Sequence, residues 1–329
     1  MNERTMTRRA FFIGAAAVPV VVAVPDMVKA AAAEEDGVDP NLSVFISDVH
    51  VSGVGDKTKW GPQPTYQNPL FEKAVDAILA MRPRPKRVVC FGDIALCLGW
   101  GKDYEASLPG FKRITDAGIE LYLTMGNHDH REPFLKYHPS YAKTSPVPGR
   151  IVSVIDLGTS DLILLDSLQE TGKDEGSGNA VDGAIDKAQW DWLEAECKRR
   201  TRPFFCGAHH SPVEMTQKVG GKKVDVLSFL RKQPLFCGWI HGHDHVWSKG
   251  TIIENYGAKR LIRKAVLPST GWWGDIGYGV FRTYDDHADL TLVETDYFFS
   301  HPFPRDKRPP SWDAMIEENR GQHCMFYYK

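Results

Sequence analysis

Short apolar runs rich in β-branched and aromatic residues recur along the chain, and each ends in glycine or serine followed by Asp, Asn or His. There are five: LSVFISDVH (42–50), RVVCFGD (87–93), ELYLTMGNHD (120–129), RPFFCGAHH (202–210) and PLFCGWIHGHDH (234–245). Runs of this length and make-up predict buried strands, each with a polar cluster at its carboxyl end. Between them the period becomes helical. Asn68-Pro69 opens a helix that runs to about Met81, with Phe71, Val75, Ile78 and Leu79 on one face. Proline in a first helical turn gives up no hydrogen bond. Asp186 reads as the N-cap of another helix over 187–199, where Trp190, Leu193 and Cys197 share a side.

Strands alternating with helices imply an α/β fold with a mainly parallel sheet, whose sites form beyond the carboxyl ends of the strands. The segment 151–166 looks different: two apolar runs joined by Gly158-Thr159-Ser160-Asp161 predict a β-hairpin, and with it a second sheet. Strand-like pieces continue at 251–253, 261–267, 279–284 and 290–294. The tail from His301 is Pro-rich and then weakly helical, and carries no assigned role.

A chain of 329 residues, 42% of them hydrophobic, can bury a sizeable core. With 40 Lys plus Arg against 42 Asp plus Glu, and no long run of like charge, nothing favours a nucleic-acid polymer or an anionic membrane as partner. A small molecule is the expected partner. Thr7-Arg8-Arg9-Ala10-Phe11-Phe12 opens an uncharged stretch over 11–25, followed by small residues near 30–33. Residues 1–33 therefore read as a twin-arginine signal peptide, which implies the twin-arginine export machinery as partner of the precursor and a periplasmic or secreted mature protein. The alternative is an uncleaved N-terminal anchor, although the stretch is shorter than the ~20 residues of a permanent membrane span. Export in the folded state would allow metal to be loaded in the cytoplasm. Six scattered cysteines without CxxC spacing suggest neither a disulfide framework nor a thiolate zinc site, and Cys90, Cys206 and Cys237 lie in apolar runs.

The five clusters offer Asp48, His50, Asp93, Asn127, His209 or His210, His243 and His245. Imidazole mixed with carboxylate and amide oxygen suits iron, manganese or zinc better than calcium or magnesium. Seven ligands exceed what one tetrahedral ion needs and match two ions sharing a carboxylate bridge. If the backbone is extended at Asp48-Val49-His50 and His243-Asp244-His245, alternate residues face one side together. Gly92, Gly126 and Gly242 would allow tight turns there. His209, nearer its strand, is the preferred ligand, with His210 left to phosphate or loop, and His241 is expected to pack locally. Arg131 is a candidate for a bidentate phosphate contact, with a helix-capping role as the alternative. Trp272 and Trp273 either stack on a substrate ring or fill core. The irregular segments 51–67 and 170–186 either select substrate beside the site or are solvated loops.

D-x-H, G-D, G-N-H-D, H-H and G-H-x-H, in this order over 42–281, resemble the calcineurin-like metallophosphoesterases. Gly126-Asn127-His128-Asp129 with Arg131, then Leu164-Leu165-Asp166-Ser167, then Gln189-Trp190, are most similar to the cyclic-nucleotide phosphodiesterase-like branch. The resemblance implies a four-layer α/β/β/α sandwich of the metallophosphoesterase type, with the catalytic domain over 42–300 and a C-terminal tail over 301–329. It implies that Asp48, His50 and His245 hold one divalent or trivalent ion, that Asp93 bridges, and that Asn127, His243 and one of His209 and His210 hold a second. It further implies that His128 assists the leaving oxygen, with Asp129 orienting it. Water between two cations ~3.5–4 Å apart is acidified enough to attack phosphorus near neutral pH. The expected activity is hydrolysis of a small-molecule phosphate ester, a diester in preference to a monoester. A non-catalytic scaffold of the same fold is the alternative of another class, but such a protein is expected to have lost ligands, and no block here lacks one.

Overall fold

The five apolar runs become strands, and their neighbours complete two sheets. In chain order the strands are β1 (Val38–Ile46), β2 (Lys57–Thr58), β3 (Gly61–Pro62), β4 (Arg84–Cys90), β5 (Glu120–Leu123), β6 (Ser153–Asp156), β7 (Asp161–Leu164) and β8 (Phe204–Gly207). They continue with β9 (Thr216–Val219), β10 (Lys222–Asp225), β11 (Phe236–His241), β12 (Thr251–Asn255), β13 (Leu261–Val266), β14 (Gly274–Thr283), β15 (His287–Phe298) and β16 (His323–Tyr327). The computed structural model describes residues 37–53, 57–58, 61–62, 68–248, 251–255, 261–298, 314 and 317–328. The segment read as a signal peptide lies outside these, as do part of 51–67 and most of 301–316.

One six-stranded sheet has the order β16-β15-β14-β1-β4-β5 and the other β12-β13-β11-β8-β7-β6. In the first, β1, β4 and β5 are parallel and β14 to β16 antiparallel. In the second, β7, β8, β11 and β13 are parallel, and the edge strands β6 and β12 run against them. The expected hairpin over 151–166 is the β6–β7 pair.

Strand pleating turns the apolar runs into layers, because successive side chains face opposite sides. Val44, Ile46, Val88 and Cys90 face outward from the first sheet onto Phe71, Val75 and Ile78 of the helix Asn68–Ala80, and onto Phe111 and Ile114 of the helix Gly101–Asp116. Phe45, Val89 and Phe91 face inward and meet Leu162, Leu164, Phe205, Ile240 and Phe281 between the sheets. Ile163, Phe204, Cys206 and Trp239 face out of the second sheet onto Leu193 and Cys197 of the helix Lys187–Arg199 and onto Val226 and Leu230 of the helix Val226–Leu230. Strands buried on both faces need unbroken apolar runs, which is how they read in the sequence. The result is the four-layer α/β/β/α sandwich. The Asp186 side chain accepts from the Gln189 N–H at 2.9 Å and caps its helix as expected. Among the described residues, no helix is long and apolar enough to cross a membrane.

The tail is helical at 317–319, as its sequence suggests, but it does not end so: residues 323–327 form β16 at the edge of the first sheet, and Cys324, Phe326 and Tyr328 are buried between the sheets. Their alternate apolar side chains had a core face waiting, and that face lies on strands remote in sequence.

Candidate metal centre

The carboxyl ends of β1, β4, β5, β8 and β11 meet at one end of the sandwich and bring two groups of ligand-type side chains together. Asp48, His50, Asp93 and His245 form one group, and His209, His210 and His243 the other. Asp93 joins them, with Oδ2 3.0 Å from His209 Nε2 and 3.8 Å from His50 Nε2. Asp48 Oδ1 is 3.1 Å from His245 Nε2 and 4.0 Å from His209 Nε2. Asn127 Oδ1 lies 3.2 Å from His209 Nε2.

The backbone that aims these groups is not extended. Asp48, His50, Asp93, His243 and His245 all have φ between 48° and 72°, and they are the non-glycine residues with positive φ among those described. The expectation that D-x-H and H-x-H work by strand alternation is therefore corrected. The chain leaves the strand at Ser47, and left-handed turns, not pleating, bring both members of each pair inward. Asp244 between them is exposed as expected. Backbone hydrogen bonds hold these turns: the Asp48 and His50 N–H groups donate to the Gly92 and Asp93 carbonyls at 3.1 and 3.0 Å, and the His243 N–H donates to the Asp48 carboxylate at 3.0 Å. Two glycines are required by contact. A Cβ at Gly126 would stand 2.1 Å from Asp93 Oδ1, and one at Gly242 would stand 1.8 Å from Ser47 Oγ.

The hydrogen bonds around the ring nitrogens fit a cation site. Nδ1 of His50, His245 and His209 lies 2.7, 3.1 and 2.9 Å from the carbonyls of Leu96, Trp273 and Phe91. A carbonyl only accepts, so each Nδ1 carries a proton and each Nε2 is the atom left to offer a lone pair to a cation. The His50 and His245 Nε2 atoms face each other at 3.1 Å, and His209 Nε2 faces His243 Nδ1 at 3.2 Å. Lone pairs converging this closely, beside two buried carboxylates, call for positive charge. Burial by itself would raise the Asp93 and Asp48 carboxyls, but His209 lowers Asp93 and His245 lowers Asp48 enough to keep both ionised. Burial and then His245 push His50 down to about 3; at His209 burial is outweighed by Asp93 and Asp48, which raise it to about 9, so its Nε2 holds a proton towards Asp93 that a bound cation would displace.

His128 stands at the rim, half-buried, with its ring 5.2 Å from that of His50. Its Nδ1 donates to the Cys97 carbonyl at 2.7 Å, and its backbone N–H donates to Asp93 Oδ1 at 2.8 Å. The orienting group is thus a main-chain carbonyl, not Asp129, and this corrects the sequence reading. Asp129 is fully buried and accepts from the N–H groups of Ile94, Ala95 and Gly126 and from the Tyr104 hydroxyl. It clamps the loop after β4 to the loop after β5, and burial, then the Asp93 charge, raise its carboxyl to about 6. A main-chain acceptor leaves no side-chain signature, so sequence reasoning had nothing with which to find Cys97.

Arg131 is also corrected. Its Nε and Nη2 reach Asp166 at 2.8 and 2.7 Å, Nη2 also donates to the Leu168 carbonyl, and Nη1 donates to Glu170. A guanidinium engaged in this way, buried behind the site, is a structural tie and not a phosphate contact. His210 Nδ1 is 2.7 Å from Ser167 Oγ, and the His210 ring is 4.8 Å from those of both His209 and His243. His241 packs locally, with Nδ1 on the Gly242 carbonyl, and does not join either ligand group. Trp272 packs edge to face on His50 at 4.8 Å and lies 6.3 Å from His128. Trp273 stacks on His245 at 4.6 Å and packs against Leu70 and Ile276.

Comparison with known proteins agrees with this geometry. Over 96 residues the chain is 31% identical to the serine/threonine-protein phosphatase CPPED1 of Bos taurus, a match covering 28% of this chain and 29% of that protein. A dimetal phosphatase from Danio rerio shares the fold, with a TM-score of 0.58 at 16% identity, covering 88% of this chain and 99% of that one. The profile described as calcineurin-like phosphoesterase matches residues 43–247, which takes in all five strand-end clusters. On this match, over more than half of its length, the chain belongs to the calcineurin-like phosphoesterase family.

Proposed function

We propose that this metal-dependent phosphoesterase hydrolyses small-molecule phosphate diesters outside the cytoplasm. The observation that carries the chemistry is Asp93, whose carboxylate faces His209 at 3.0 Å and His50 at 3.8 Å and so stands between the two ligand groups. Asp48, His50 and His245 would hold one cation and Asn127, His209 and His243 the other, with Asp93 shared. Iron, manganese and zinc all suit such donors. Two cations there would acidify water and neutralise phosphate oxygens. His128, with Nδ1 committed to the Cys97 carbonyl, keeps Nε2 to hold a proton and pass it to the departing oxygen. Trp272 beside it supplies an apolar wall for the leaving group.

The preference for diesters rests on the Asn127-to-Arg131, Asp166-Ser167 and Gln189-Trp190 blocks. A monoesterase is the second reading, favoured by the word phosphatase in the names of both relatives. Turnover of bis-p-nitrophenyl phosphate against p-nitrophenyl phosphate separates them, and activity on the monoester alone would overturn the diester reading. Asp93→Asn removes the shared charge and is expected to cut turnover by ~100-fold or more, with loss of bound metal. Unchanged activity would sink the two-cation scheme. Export rests on the Arg8-Arg9 pair and the apolar stretch behind it. Fractionation of cells expressing the full chain should place the parent outside the cytoplasm and an Arg8→Lys, Arg9→Lys double variant inside it.

A further inference from the structure

Between β7 and the helix Lys187–Arg199 the chain runs without regular structure from 165 to 186. Connections this long are uncommon in compact domains and usually have a function of their own. Much of the span is exposed, yet it is tied down at defined points, and those points surround His128. The Asn179 amide nitrogen donates to the Asp129 carbonyl at 2.8 Å and to the Asn127 carbonyl at 3.3 Å, which are the residues on either side of His128. The Asn179 amide oxygen accepts from the Gly172 N–H at 3.0 Å, so both ends of the amide are engaged and its orientation follows from its partners.

The Gly176 N–H donates to the Leu98 carbonyl at 2.8 Å, and Glu175 accepts from the Gly101 N–H at 2.6 Å. Leu98 and Gly101 follow closely on Cys97, whose carbonyl holds the His128 ring. His130 adds a further tie: one ring nitrogen is 2.8 Å from the Ser177 carbonyl and the other 3.1 Å from Glu170. Burial disfavours the charged ring, but these two acceptors outweigh it and raise His130 above its ordinary value.

We infer that the strap 170–186, acting through Asn179, is a positioning element for the leaving-group acid. It bonds the main chain on both sides of His128 and the segment whose Cys97 carbonyl anchors the ring, so it sets where His128 Nε2 points. The Asn179 side chain makes these hydrogen bonds to main-chain groups, not to ligand side chains or the His128 ring. The inference rests on the acid role given to His128 above.

A positioning role for the acid has a signature that general support of the fold lacks. A leaving group that departs readily as an anion needs no proton, while a more basic one does. Diesters carrying p-nitrophenyl and unsubstituted phenyl leaving groups are therefore compared for the parent, Asn179→Ala, Asn179→Asp and His128→Ala, with metal content measured for each. Asn179→Asp keeps the size and the acceptor for Gly172 but presents oxygen to two carbonyls.

Both Asn179 variants are expected to lose ~10-fold or more in kcat on the phenyl ester while staying near the parent on the nitrophenyl ester, with metal content unchanged. His128→Ala should show the same selectivity, more strongly, within the ~100- to 10,000-fold range of general acid catalysis. Equal losses on both esters, or losses that follow metal content, overturn the inference while His128→Ala remains selective. If His128→Ala shows no dependence on leaving group, the acid role itself fails, and the positioning role with it.

Discussion

Asp48, His50, Asp93, His243 and His245 share a left-handed backbone that costs a side-chain-bearing residue ~1–3 kcal/mol. Such strain persists only where surroundings over-determine it, and here the turns are pinned by backbone bonds to neighbouring strand ends. The gain is direction, since two residues separated by one can both point into the same small volume. Packing leaves no slack beside them. Gly242→Ala would press a methyl against Ser47 Oγ and Asp48 Oδ2, and Gly126→Ala would press one against Asp93. Each is expected to destabilise the fold by ~1–3 kcal/mol and to weaken metal binding more than secondary structure. Calorimetric metal titration beside circular dichroism checks this, and a variant with parental affinity would count against the crowding argument.

Among the elements, β16 and the Glu170 tie make separate demands. Phe326 of β16 is fully buried, meets Phe205 edge to face at 5.3 Å, and covers Gly238, where a Cβ would come within 2.6 Å of its ring. Phe326→Ala should lower unfolding free energy by ~3–5 kcal/mol, measured by urea titration, with metal stoichiometry unchanged. Glu170 holds Arg131 and His130 at the start of the helix Arg131–Tyr137. Burial would raise its carboxyl, but His130, the Arg131 N–H and the Arg131 charge outweigh this and hold it at about 2, against an ordinary 4.5. A carboxyl depressed on folding stabilises above its unfolded value and loses that contribution as pH falls. Glu170→Gln should therefore be less stable than the parent at neutral pH, and the gap should close as pH falls from about 4.5 towards about 2. Acid unfolding curves of the two proteins test this, and a gap independent of pH would deny the tie.

Across the whole molecule, the ligand groups come from β1, β4 and β5 of one sheet and β8 and β11 of the other, so cations held there would join both halves of the sandwich. A ligand bound only by the folded chain stabilises it by mass action, about 2.7 kcal/mol at a concentration 100 times its dissociation constant. Chelation is expected to lower the melting temperature, and two equivalents of a divalent ion per chain should restore it. Full recovery at one equivalent would point to a single-ion site.

The runs 42–50, 87–93 and 202–210 could be read as strands without a structure because burial on both faces imposes unbroken apolar stretches, and that demand is local. The Asn68 and Asp186 helix starts were legible for the same reason, as capping and first-turn chemistry act within a few residues. The strand-end order of Asp, Asn and His carried the family resemblance and with it the four layers. Three-dimensional packing decided the rest. Whether an arginine meets phosphate or protein depends on where Asp166 and Glu170 lie, and Arg131 found both. Whether His128 leans on a carboxylate or a carbonyl depends on a loop 31 residues away, whose Cys97 acts through its main chain. The tail's place as an edge strand awaited a partner that only the folded sheet supplies. Contacts between remote segments have no period and no composition, so they are settled when the layers close.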